Sequence, residues 1–99
     1  MIKIVEEVEQ IQDIIDEVNQ RPIKEYDKMK IEDISKELRN AMEFEQKSFQ
    51  KIEELEKQGI NPELTKYAKI VCRNTTEREI AEIQEVYLTK IDKEYLSSK

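Results

Sequence analysis

Histidine and tryptophan do not occur in these 99 residues, cysteine and glycine occur once each, and proline occurs twice. Each shortage excludes something. The missing histidine takes away the commonest general base and the commonest transition-metal ligand. A single cysteine forms no internal disulfide. One glycine and two prolines leave few tight turns, so a sheet with its hairpins is disfavoured. No apolar run is long enough to cross a bilayer, and no leader with a cleavage site opens the chain. The reading is a soluble, cytoplasmic chain with no membrane partner.

What is present is charge and helix-forming composition. Charged residues make up 40% and hydrophobic ones 37% of the chain, so a core forms only if the apolar positions are strictly patterned. The bias toward Lys, Glu, Ile and Gln is that of long helices. The net charge of −6 is uneven, because residues 1–20 hold one Lys against six acids while residues 60–99 balance at seven each. An acidic chain with no basic block is repelled by nucleic-acid phosphates and anionic lipid.

The apolar spacing predicts an all-α fold in a single domain over residues 1–99, a bundle of about four helices at 2–20, 28–58, 62–73 and 76–97. In the first, Met1, Ile4, Val8, Ile11, Ile15 and Val18 recur at steps of three and four, a narrow heptad seam with Glu6, Glu9, Asp13, Asp16 and Glu17 opposite. Pro22 ends or kinks that helix. In the connector, Ile23 and Tyr26 are expected on the core, and Asp27 is a plausible N-cap for the second helix.

The second helix carries the stripe Ile31, Ile34, Leu38, Ala41, Met42, Phe49, Ile52 and Leu55, with Gly59 as its left-handed stop. At ~1.5 Å per residue it would be roughly 45 Å long, which suggests a kink or pairing with another subunit. "INPEL" then punctuates the chain, with Asn61 as N-cap and Pro62 at the first helical position. Leu64, Tyr67, Ala68 and Val71 make the third helix's buried stripe. Asn74 closes that helix, and Thr76 with Glu79 has capping-box spacing for a fourth lined by Ile80, Ile83, Tyr87, Ile91 and Tyr95.

Five features compete as sites. The corner "KIVCRNTTEREIAEIQE" and the stretch "MKIEDISKELRNAMEF" invite comparison with a helix-turn-helix, but neither has a turn glycine, and Lys90 and Lys93 beside Asp92 and Glu94 make a poor phosphate footprint. Cys72 next to Arg73 could be a nucleophile, yet it flanks a buried stripe with no histidine to activate it. Acid pairs at i, i+3, Glu6/Glu9, Asp13/Asp16 and Glu82/Glu85, resemble the paired acidic motifs of all-α nucleotide pyrophosphohydrolases, which implies Mg²⁺. In a chain with 23 acids that spacing is unspecific, and solvation explains it. Glu45 interrupts the second stripe, as a rim residue or as an acid paired with Arg39 or a partner's base. Phe44 points off the stripe, toward a contact surface or a second layer of the fold.

The sequence therefore predicts no catalytic residues, cofactor or metal. It points to a non-enzymatic acidic interaction module that regulates or inhibits a protein partner, one offering a basic groove, and that self-associates as a homo-oligomer. The interaction residues expected are Ile4, Val8, Ile11, Ile15, Val18, Phe44, Glu45 and Phe49. A small helix-turn-helix-like DNA-binding regulator is the alternative, and a Mg-dependent all-α nucleotide hydrolase the third reading.

Overall fold

A computed structural model describes residues 2–22 and 24–97, with side chains over 5–22 and 24–94. The described residues form three α-helices, α1 (Ile2–Asn19), α2 (Ile31–Lys57) and α3 (Pro62–Ser97), and a 3₁₀ turn at Tyr26–Lys28. The expectation of four helices is corrected. Helix α3 runs unbroken for 36 residues through the corner at 74–76, a length of ~54 Å.

Thr76 does not cap a new helix at the corner. A threonine inside a helix competes for backbone partners, and this one settles the competition locally by donating from Oγ1 to the Cys72 carbonyl, one turn back, at 2.7 Å. The buried row of α3 passes through Thr65, Ala68, Cys72, Thr76 and Ile83, at helical spacing throughout. Its middle consists of small and hydroxyl side chains, which read as a loop in sequence but here let α3 lie close against Ala41 and Ser48 of α2. The stripe expected for the third helix is corrected too, since Tyr67 is 57% exposed.

Helix α2 begins later than expected. Lys30 stands at its N-cap with no side-chain bond, and Asp27 sits in the 3₁₀ turn instead. Its end is as read. Gly59 takes φ 87°, its N–H donates to the Glu56 carbonyl, and the Ile60 N–H donates to the Leu55 carbonyl at 3.2 Å. That pair of bonds is a Schellman closure, sealed by buried Ile60. Asn61 Oδ1 accepts from the Glu63 N–H at 2.9 Å, so Asn61 caps α3 with Pro62 at the first position.

Helices α2 and α3 form a long antiparallel hairpin. The C-terminal end of α1 reaches the level of Thr75 and Glu79, the connector continues in the same direction to Met29 beside Lys90, and α2 then returns. Helix α1 therefore runs parallel to α3 and covers only one end of the hairpin. The long axis of the molecule measures 66 Å against 20 and 16 Å across.

Two packed clusters follow from this arrangement. At the three-helix end Ile11, Ile14, Ile15 and Val18 of α1 meet Ile52, Ala68 and Cys72. At the two-helix end Tyr26 of the connector plugs between Ile34, Ala41 and Ile83. Ile34, Ile52 and Ile83 are completely buried, each worth ~2–3 kcal/mol of apolar transfer. The connector is also tied by Lys24 to Glu37 at 2.9 Å, and Ile23 lies outside the described residues.

Candidate functional site

The side chains weighed as chemical candidates are either packed or on solvent. Cys72 is buried, and burial first of all, then the Glu45 charge, raise its thiol above the ordinary value against the opposing effects of Ser48 and Arg73. A thiol held protonated is the reverse of an activated nucleophile. Glu45 is half-buried and pairs with Thr76 rather than Arg39, its Oε2 lying 2.5 Å from the Thr76 hydroxyl. Glu6, Glu9, Asp13, Asp16 and Glu17 of α1 face solvent. Among the described residues no group of three or more Cys, Asp or Glu is placed to hold a metal ion.

Beside the α1 terminus lies a cleft of about 450 Å³ floored by Val18, Pro22 and Tyr26 and rimmed by Arg78 and Glu82. Across it Arg21 donates from Nε and an Nη to both oxygens of Glu79, each at 2.9 Å, and its guanidinium stacks 4.3 Å over the Phe44 ring. The Glu79 hydrogen bonds raise the Arg21 pKa, outweighing burial. Tyr26 is raised chiefly by burial and then by Glu79, Glu37 and Glu82, so its phenol stays neutral. The cleft thus holds a satisfied ion pair and a neutral phenol, with no activated base or nucleophile among its lining residues.

The expected interaction residues divide three ways. Ile11, Ile15 and Val18 lie in the chain's own core, whereas Val8 is 44% exposed beside exposed Val5. Phe44 and Phe49 are half-buried against the α1 cluster, each under an arginine, Arg21 and Arg73, so Phe44 belongs to a second layer of this fold. The Ile4 side chain lies outside the described residues. Both stretches compared with a helix-turn-helix lack the required turn: residues 74–76 sit inside α3 and residues 31–44 inside α2.

A further surface emerges from the continuity of α3. On the side away from the core, Tyr67, Ile70 (50% exposed), Leu88 (60% exposed) and Ile91 stand on solvent. They belong to one row, at 67, 70, 74, 77, 81, 84, 88 and 91, in alternating steps of three and four. This spacing is present in the sequence, but dividing the helix at residue 74 hides it. The Arg21–Glu79 pair had no local signal, since its partners are 58 residues apart.

In comparison with known proteins, the chain matches no family model, no curated protein and no solved structure.

Proposed function

We propose that this chain is a non-enzymatic helical interaction module that works by contact, self-associating and regulating or inhibiting a protein partner. The observation that carries the reading is the set of large apolar side chains left on the outside of a fully helical fold. Val5 and Val8 lie on α1, and Tyr67, Ile70, Leu88 and Ile91 on α3. Exposed apolar groups arranged in a row serve association more often than they serve solubility. The acidic face of α1, with Glu6, Glu9, Asp13 and Asp16 on solvent, suits a partner with a basic groove.

The test pairs sedimentation of the purified protein with affinity capture from its source organism. Capture of a partner that is lost when Val8 or Leu88 is changed to Glu supports the reading. A chain that is strictly monomeric at tens of micromolar and captures nothing specific overturns it.

A further inference from the structure

The outer row of α3 is a heptad seam with a particular order of side chains. Tyr67 and Ile70 form one apolar end and Leu88 and Ile91 the other, while Asn74, Glu77 and Gln84 put polar groups between them around Ala81. Core packing does not use this row, because the buried positions Thr65, Ala68, Cys72, Thr76 and Ile83 lie on the opposite side of the helix. α1 and α2 pack on that buried side and leave the outer side open.

We propose that a second copy of this chain docks antiparallel on the outer face of α3, with the twofold axis between Glu77 and Ala81. It rests on the reading of the chain as an interaction module, and it names the face, the occupant and the orientation. The argument is one of matching. In an antiparallel pair each a position meets a d position, so residues whose numbers sum to a constant share a layer. When Glu77 meets Ala81 of the other copy, Ile70 meets Leu88 and Tyr67 meets Ile91, apolar on apolar. The same register puts Asn74 against Gln84, two amides that hydrogen-bond each other. A shift of one heptad either way sets Glu77 against Leu88 or Tyr67 against Gln84.

Charge bears on the orientation too. About the axis, the antiparallel register gathers Glu77 and Arg78 of both copies into one cluster, in which each Glu77 is within reach of the other copy's Arg78 while the two Arg78 side chains also face each other; Arg78 makes no ion pair among the described residues. A parallel pair would stack the two Glu77 carboxylates in one layer and set Arg73 opposite Arg78, like against like. Four apolar side chains per copy, interrupted by polar layers, make a small and reversible interface.

The test uses the full chain. Sedimentation velocity across a concentration series is expected to show a monomer–dimer equilibrium, and Leu88→Glu, at a position 60% exposed in the single chain, is expected to raise the dissociation constant by ~100-fold with an unchanged helical circular dichroism spectrum. Arg78→Glu is expected to weaken the antiparallel dimer, whereas it would strengthen a parallel one. Mixing a Glu77→Cys chain with an Ala81→Cys chain under mild oxidation is expected to give the mixed 77–81 disulfide ahead of either homodimer, with buried Cys72 as a bystander. A dimer that persists in Leu88→Glu, or that links 77 to 77, overturns this inference and leaves the interaction-module reading standing. A wild-type chain that stays monomeric at all concentrations overturns the inference and removes self-association from that reading too.

Discussion

The Thr76 hydroxyl joins α3 to α2 by lying 2.5 Å from Glu45 Oε2, while the Cys72 carbonyl lies 2.7 Å away on its own helix. One hydroxyl thus serves as both helix-interior filler and interhelical tie. Thr76→Val keeps the shape and removes the hydroxyl, whose single proton is shared between the Cys72 carbonyl and Glu45 Oε2, leaving a half-buried carboxylate without its partner. Urea unfolding is expected to show a loss of ~1–2 kcal/mol. Thr76→Asp would be welcome at a helix start but places a second carboxylate beside Glu45, so it is expected to cost more. A stabilising Thr76→Asp would mean that the helix breaks there after all.

Arg21 and Glu79 hold the connector to α3, with side chains only 21% and 16% exposed. Removing one partner strands the other in a largely shielded site. Arg21→Ala is expected to cost about 2 kcal/mol, and Arg21→Lys to recover only part of it, because ammonium cannot reproduce the two-pronged geometry or the stack on Phe44. A double-mutant cycle with Glu79→Gln measures the coupling. A coupling energy of zero would remove this pair from the account of how the connector is held.

Gly59 isolates backbone strain from sterics. A Cβ placed there meets nothing within 4 Å, yet φ is +87°. Gly59→Ala is therefore expected to lower stability by ~1 kcal/mol with an unchanged denaturant slope, and Gly59→Asn by less. Equal losses for the two would point to something other than the left-handed turn.

Alkaline pH tests the buried titrating groups. Burial raises both Cys72 and Tyr26, so in the unfolded chain each loses its proton at a lower pH than in the folded one. Their contribution is complete below the ordinary thiol value of 9.0 and is lost as pH rises past it and through the raised folded values. Urea midpoints are expected to be level from pH 7 to 8 and to fall above ~9, with the fall shallower in Tyr26→Phe. A midpoint that climbs with pH over that range would contradict the sign.

The two packed clusters give a last contrast. Ile52→Ala and Ile83→Ala each empty a fully buried site and are expected to cost ~3–4 kcal/mol. Hydrogen exchange separates them: Ile83→Ala is expected to speed exchange at the two-helix end, around residues 31–41 and 80–90, more than around Ile52. Uniform acceleration would mean that the hairpin opens only as a unit.

Where one residue type has one conformational reason to be present, the sequence is legible. Pro22 closes α1, Gly59 closes α2, and Asn61 with Pro62 opens α3, all as their chemistry requires. Legibility fails where tertiary packing decides. Thr65 and Thr76 are core residues without an apolar signature, because a close helix crossing favours small side chains over greasy ones. Thr76 and Glu79 have capping-box spacing, but Thr76 bonds backward to Cys72 and Glu79 turns to Arg21. Dividing the helix there puts Tyr67 and Ile91 in a core that does not hold them. Glu45 was recognisable as an anomaly in its stripe, while its partner, 31 residues away, was not.

The unbroken course of α3 also governs how this chain can change in length. Its buried row keeps one side of a single 36-residue cylinder, so deleting one residue near position 78 turns everything after it by ~100°. Ile83 would swing out of the core and its neighbours would swing in. Losing or gaining seven residues restores the facing to within about 20°. Length variation in this helix is thus restricted to near-whole numbers of turns.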